Sequence, residues 1–134
     1  KRGSEVFKRL FEVILTDGGG EFADRIGMET SSDGKAQRTT VYYCDPYSSW
    51  QKGCCEKNHE YIRYVRKKGS TFDDLDQEKV TLLANHINST KRDSLNGHSP
   101  FELSQLLLDE QLLSATGCKL IAPDDVTLTP ELLK

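Results

Sequence analysis

The chain has 134 residues, a formal net charge of −3 and a charged fraction of 29%. This length supports one domain with one modest core, and the mixture of charged and apolar residues is that of a soluble globular protein. Charge alone does not indicate a nucleic-acid binder, no apolar run approaches the roughly 20 residues that span a bilayer, and no secretory signal is visible.

The first half of the chain predicts two strands, each leading into a loop. Ser4 is placed to cap a short amphipathic helix. The apolar run 11–16 predicts a buried strand that stops at Asp17, where three glycines require a turn. Residues 21–28 predict a short helix. Residues 38–44, rich in β-branched and aromatic side chains, predict the second strand.

The second half of the chain predicts helices. Residues 54–67 form the first of them, and Gly69 is expected to end it. Asp76 begins the next, with apolar residues recurring on one face. Two further short helices are predicted at residues 109–115 and from Thr129 onward.

The strongest helix start signal lies at Ser99. Pro100 follows at the first helical position, and Glu102 completes a capping box with Ser99. We expect Leu106 and Leu107 to belong to the apolar face of this helix and to pack in the core.

Two acidic residues occupy positions suited to chemistry. Asp17 ends an apolar strand, and the carboxyl ends of strands in open α/β sheets border the crevice where ligands bind. Glu56 stands near the start of a helix, after the loop that follows the second strand. Two such hard oxygen donors favour Mg²⁺ or Mn²⁺. The alternatives remain that Asp17 only forms a turn and that Glu56 is a solvated helix carboxylate.

Three segments resemble signatures of DDE-type transposases and integrases, bacterial insertion-sequence transposases of the integrase-core type in particular. Residues 16–22, TDGGGEF, resemble the segment around the family's second aspartate, and residues 45–53, DPYSSWQKG, resemble the segment before its glutamate. Residues 96–102, NGHSPFE, resemble the family's closing segment. Arg63 stands where the family often has a basic residue after the glutamate. The resemblance covers roughly residues 5–108.

The resemblance implies an α/β, ribonuclease H-like fold that is incomplete. In the family, strands that precede the first helix found here carry the first catalytic aspartate, so we expect this chain, which begins at Lys1 without Met, to be a fragment. Residues 1–108 would be a partial integrase catalytic core and residues 109–134 a helical C-terminal extension. We expect the sheet edge at 11–16 to be covered by another chain or by the tail, or to stay poorly covered.

The resemblance also implies the chemistry. Asp17 and Glu56 would be the second and third members of a carboxylate triad that binds two Mg²⁺ or Mn²⁺ ions in the full-length enzyme, and weakly or not at all in this fragment. The full-length enzyme would cut DNA at transposon ends and join it to target DNA, whereas the fragment alone would be inactive. The alternative is a truncated, catalytically inactive remnant that binds DNA or protein.

Four residues are expected to contact DNA. Helical spacing places Arg63 and Lys67 on one face with Glu60, where they would meet phosphates, and we add Lys52 and Trp50 from the preceding loop. The alternatives are that Arg63 pairs with Glu60 and that Trp50 is a packing anchor. The family's partners would be transposon ends, target DNA and further copies of the full-length chain. No membrane is expected, and the location would be the bacterial cytoplasm and nucleoid.

Overall fold

A computed structural model describes residues 2–134, except for the side chains of Arg2, Ser4, Ser49 and Cys54. The chain divides into two compact units, Lys1–Glu56 and Lys57–Lys134. Within the described part, no helix is both long enough and apolar enough to cross a membrane. The helices and strands of this part are α1 Arg2–Leu10, β1 Val13–Thr16, α2 Arg25–Glu29, β2 Thr40–Tyr43, α3 Gly53–Val65, α4 Gln77–Ser89, α5 Pro100–Leu107 and α6 Glu110–Ala115.

The first unit contains a two-stranded parallel sheet. β1 pairs with β2 from Val13 opposite Thr40 to Thr16 opposite Tyr43. Both predicted strands are therefore confirmed, although each is shorter than its sequence pattern. Because the strands are parallel, their carboxyl ends lie at the same edge of the sheet, and the residues after Thr16 and Tyr43 leave it side by side.

The two outer edges of this sheet differ. On the β2 side, the Val41 N–H donates to Glu29 Oε1 at 2.8 Å, and this hydrogen bond holds the pKa of the Glu29 carboxyl below its usual value. Within residues 2–134, β1 pairs with β2 alone, so its other edge carries no strand. Val13 and Leu15 remain 58% and 48% exposed. The sheet is mixed with helices as expected, and its two strands are compatible with an incomplete ribonuclease H-like fold.

Two predictions for the first unit need correction. The helix α1 begins at Arg2, so Ser4 lies inside it and is not its cap. The predicted helix 21–28 is divided: a short 3-10 helix, Gly20–Phe22, precedes α2. The division is favoured by Asp24, whose side chain caps α2 by accepting from the Gly27 N–H at 2.9 Å.

The second unit has its own apolar core. Val65 of α3, Leu83 and Ile87 of α4, and Leu133 near the chain end are all buried in one cluster. The predicted start of α4 is confirmed, because the Asp76 side chain caps it. Burial of these aliphatic side chains is the main stabilising contribution available to the unit.

Two predictions for the second unit are wrong. α3 ends at Val65, so Lys67 lies beyond it, and Gly69 occupies the following turn with φ of 88°. Leu106 and Leu107 are 82% and 77% exposed, whereas Phe101 is the buried residue of α5. Leu106 and Leu107 do not stand three or four residues after Phe101 and therefore fall outside the face that it buries.

Buried polar side chains of α4 hold the segment after α6. Asn85 Nδ2 donates to the Gly117 carbonyl at 3.1 Å, and Asn85 Oδ1 accepts from the Lys119 N–H at 3.0 Å. Ser89 Oγ accepts from the Ile121 N–H at 2.9 Å. A segment without regular secondary structure thereby satisfies its backbone groups through side chains.

His86 makes the same kind of contact farther along this segment. It is buried, and its Nδ1 accepts from the Thr127 N–H at 3.0 Å. Burial lowers the pKa of His86, and the nearby charge of Asp125 opposes this only in part. An imidazole that accepts at Nδ1 must be deprotonated there, which agrees with the lowered pKa.

We predict that removing the cap of α5 destabilises the protein. Ser99 is almost fully buried, its Oγ accepts from the Glu102 N–H, and the Ser99 N–H donates to Glu102 Oε2 at 2.7 Å. Ser99→Ala should lower the free energy of unfolding by about 0.5–2 kcal/mol in urea denaturation. Ser94→Ala, at an exposed serine, is the control. Equal effects of the two substitutions would contradict this role of the cap.

We also predict that His86 makes stability fall on acidification. Its folded-state pKa lies below the unfolded value, so the unfolded chain takes up the proton first as pH falls. The contribution of neutral His86 is fully present above the ordinary pKa of about 6.5 and is lost as pH drops from there toward the folded pKa. Urea unfolding across this range should show a slope that His86→Gln reduces. His59→Gln, at an exposed histidine, should leave the slope unchanged.

Candidate active site

Asp17 stands where β1 leaves the sheet. The preceding residue, Thr16, is buried and 2% exposed, whereas the Asp17 side chain is 59% exposed. The Gly19 N–H turns back and donates to Asp17 Oδ1 at 3.2 Å. The apolar strand therefore ends in a solvent-facing carboxylate whose orientation is fixed in part by its own turn. Asp17 forms the turn through Oδ1 and leaves Oδ2 to a partner from another segment.

The loop after β2 is closed by a reciprocal pair of hydrogen bonds. The Asp45 N–H donates to Gln51 Oε1 at 2.9 Å, and Gln51 Nε2 donates to Asp45 Oδ2 at 3.0 Å. Tyr47 lies within this closed loop with φ of 60°, a left-handed conformation that costs a non-glycine residue about 1 kcal/mol or more. The closure brings the residue after Gln51 back toward the sheet edge.

That residue, Lys52, reaches Asp17. Lys52 Nζ lies 3.1 Å from Asp17 Oδ2, and the two form a salt bridge across 35 residues of sequence. The hydrogen bond from Lys52 and then that from the Gly19 N–H lower the pKa of Asp17, and the same bond to Asp17 raises the pKa of Lys52. Of the expected DNA-contacting residues, Lys52 is thus the one that touches a predicted metal ligand.

Glu56 lies in the first turn of α3 and is exposed. A short 3-10 helix, Ser49–Lys52, leads directly into α3, so Glu56 follows Lys52 by four residues of helical backbone. The N-terminal position in α3 favours a negative side chain through the helix dipole. Glu56 therefore stands in α3 about one turn after the lysine that contacts Asp17.

The donor chemistry of these two residues is suited to a hard divalent cation. Asp17 already holds a cationic group, the Lys52 ammonium, which shows that positive charge is accommodated at this oxygen. Mg²⁺ needs only one or two carboxylates when water and phosphate oxygens complete its shell. Among the described residues, however, no group of three or more acidic, histidine or cysteine side chains gathers as a candidate metal site.

Two large aromatic side chains of the loop project into solvent. Trp50 is 76% exposed, so the alternative that it anchors packing in this chain is wrong. Tyr47 is fully exposed, with a relative accessibility of 101%. The sequence gives no signal for Tyr47, because a positive φ at a non-glycine residue leaves no trace in the pattern of residues. Both rings present apolar surface on the loop that leads to Lys52.

The basic residues of α3 and the turn after it have different surroundings. Arg63 is exposed in the last turn of α3. Hydrogen bonds from Lys57 at 2.7 Å and from Tyr64 at 2.8 Å lower the pKa of Glu60, and the charge of Arg63 also lowers it, so Arg63 and Glu60 interact electrostatically. Lys67 is exposed just beyond the helix, so the predicted helical alignment with Arg63 does not hold, although its role toward DNA stays a prediction.

The chain is similar to transposases of bacterial insertion sequences. It is 40% identical over 99 residues to the transposase for insertion sequence element IS1086 of Cupriavidus metallidurans, covering 73% of this chain and 28% of that protein. It is 28% identical over 105 residues to the transposase for IS4351 of Bacteroides fragilis, covering 77% and 30% respectively. Transposase InsI for IS30A of Escherichia coli K12 is 31% identical over 94 residues, covering 70% and 23%.

The chain thus spans less than a third of the length of these curated relatives. No protein-family model matches it, and no solved structure matches it significantly. The sequence similarity extends over most of the chain. The chain belongs to the family of insertion-sequence transposases and integrases.

Proposed function

We propose that this chain is part of a transposase catalytic core that performs metal-dependent DNA cleavage and strand transfer in the full-length protein. Asp17 and Glu56 are the second and third members of the carboxylate triad. Its first member comes from sequence outside these 134 residues. The observation that carries the proposal is the convergence of the β1 end and the segment before α3, marked by the 3.1 Å contact between Asp17 and Lys52.

Asp17 and Glu56 serve as ligands of Mg²⁺ or Mn²⁺. Both carboxylates are exposed, Asp17 directly after β1 and Glu56 in the first turn of α3, so neither has to leave a buried position to meet a cation. When bound, the metal activates water or a DNA 3′-hydroxyl and stabilises the leaving oxygen of the scissile phosphate. The protein's own task is orientation: the Gly19 N–H fixes the Asp17 carboxylate, and α3 fixes Glu56.

DNA contacts are proposed for exposed side chains of each unit taken by itself. Arg63 and Lys67 are exposed cations that contact phosphates, and Trp50 offers a face on which an unpaired base stacks. Neighbouring Arg66 contributes less, because it is already paired with Asp74. The relatives are named transposases, and their partners, transposon ends and target DNA, are proposed for this protein on that basis.

A second candidate is a catalytically inactive remnant that binds DNA or protein. It is favoured by the finding that no group of three potential metal ligands gathers among the described residues. The two candidates differ in what they expect of a divalent metal. The active core requires Asp17 and Glu56 to bind it together, whereas the remnant requires no such binding.

We predict that Mn²⁺ broadens the amide signals of residues 17–20 and 53–57 in a titration followed by NMR. Asp17→Asn and Glu56→Gln should each weaken this binding by about 10–100-fold or more, because loss even of groups behind the ligands costs that much. Glu78→Gln is the matched control for Glu56→Gln, because Glu78 also occupies the first turn of an exposed helix end. Asp73→Asn, at an exposed carboxylate, is the control for Asp17→Asn.

The active-core proposal fails if millimolar Mn²⁺ leaves these signals unchanged, or if the two control substitutions weaken binding as much as the substitutions at the site. The inactive-remnant candidate would then be favoured.

We further predict that DNA binding weakens with salt and that Arg63→Gln and Lys67→Gln each reduce the slope of log affinity against log salt by about 1. Trp50→Ala should weaken binding to single-stranded DNA by about 1–3 kcal/mol while changing this slope little. Lys35→Gln removes an equivalent exposed charge from a polar loop and should change the slope and the DNA affinity less. Fluorescence anisotropy at several salt concentrations measures DNA binding by all four variants. An unchanged slope in both Arg63 and Lys67 variants would remove these residues from the DNA surface.

A further inference from the structure

Both oxygens of the Asp17 carboxylate already have partners. Oδ1 accepts from the Gly19 N–H at 3.2 Å, and Oδ2 contacts the Lys52 ammonium at 3.1 Å. The first partner belongs to the same turn. The second comes from a different segment and carries the kind of charge that a metal ion would bring. A cation that approaches Oδ2 meets the Lys52 ammonium, a like charge that already occupies one side of this oxygen.

The position of Lys52 is built by the loop before it. The reciprocal Asp45–Gln51 hydrogen bonds close the loop, and the 3-10 helix Ser49–Lys52 runs straight into α3. The Lys52 side chain is only 21% exposed, far less than the carboxylate that it contacts. An ordinary surface pair joins two flexible, well-hydrated side chains, whereas this lysine is largely covered and directed at one carboxylate oxygen.

The position of Lys52 also suits its ammonium to a second ligand, a DNA phosphate. It lies between Trp50 and Glu56 in sequence, at the end of the exposed loop that we assign to DNA. Lysine is a flexible point charge that binds phosphate as readily as carboxylate. A divalent ion at Asp17 would repel the ammonium, and a phosphate brought in with the DNA would accept it.

We propose that Lys52 is a charge-exchange residue: its ammonium occupies the cation position on Asp17 in the metal-free chain and moves to a DNA phosphate when the metal binds. This inference rests on the proposed function, because it takes Asp17 as a metal ligand. It adds that metal and lysine compete for one oxygen, and that metal and DNA binding are thereby coupled. Lys52 acts as a positioning residue, since it acts through Asp17 and through the phosphate.

The test is a Mn²⁺ titration of the 134-residue chain at low salt and without DNA, followed by electron paramagnetic resonance of free Mn²⁺. Lys52→Gln should bind Mn²⁺ about three- to tenfold more tightly than wild type, because the competing charge is gone. Lys52→Arg keeps the charge and should not tighten binding. Lys35→Gln removes one positive charge from an exposed loop position. It controls for the effect of net charge on Mn²⁺ binding, and we expect it to change the Mn²⁺ affinity by less than about twofold.

A double substitution separates this inference from the proposed function. In an Asp17→Asn background, adding Lys52→Gln should no longer tighten Mn²⁺ binding. If Asp17→Asn weakens binding while Lys52→Gln leaves it unchanged, the exchange is overturned and the metal site stands. If Asp17→Asn has no effect, the proposed function itself falls, and the exchange falls with it.

A second measurement covers the case in which Lys52→Gln does not fold. Added Mg²⁺ should shift the ¹⁵Nζ signal of Lys52 in the wild-type chain toward that of exposed Lys35, and phosphate-bearing DNA added next should shift it again. An Nζ signal that Mg²⁺ does not move, while amide signals of residues 17–20 do move, overturns the exchange.

Discussion

Because β1 and β2 run parallel, the chain leaves both strands at one edge of the sheet, and the loop after β2 must pass the end of β1. Four residue pairs between β1 and β2 are enough to set this arrangement. Had the strands been antiparallel, Asp17 would lie at the opposite end from the loop that contains Lys52. The contact between these two residues, and the entry of α3 toward the same edge, follow from the direction of the pairing. The candidate site depends on that one constraint more than on any side chain within it.

The candidate site and the apolar core of the second unit contribute differently to the stability of the protein. The Asp17–Lys52 pair is exposed on its acidic side, where water screens the attraction, so it contributes little to the stability of the fold. The second unit derives its stability from buried aliphatic residues and from polar side chains of α4 such as Asn85 and His86. A weak pair is well suited to exchange, since its partners separate without loss of the fold. The exposure that makes Asp17 unimportant for stability makes it available to a ligand.

The loop between β2 and α3 keeps features that folding alone does not favour. Tyr47 is held at positive φ, and it and Trp50 expose large aromatic rings. The hydrophobic effect favours burial of such rings, so their exposure in a loop closed by Asp45 and Gln51 is typical of a contact surface. Strain and exposed apolar area occur together in the loop that ends at the lysine in contact with Asp17.

The sequence by itself determined the local features of this protein. The apolar run before Asp17 and the β-branched run before Cys44 predicted both strands, and the capping box at Ser99 predicted α5, because alternation and caps act over a few residues. The segments TDGGGEF and DPYSSWQKG indicated the family, which the sequence similarities bear out. Asp17 and Glu56 could be chosen as candidates because residue type and neighbouring residues sufficed for that choice.

Only the tertiary structure decided which groups meet. That Lys52 contacts Asp17 depends on a parallel register and a loop closure, both of which join residues far apart in sequence. The burial of Phe101 rather than Leu106, and of His86 against the tail, depends on which face a helix turns to its neighbours. Local pattern fixes the elements, because their hydrogen bonds and caps lie within a few residues. Contacts between elements are fixed by packing, to which each residue contributes only a small part of the free energy.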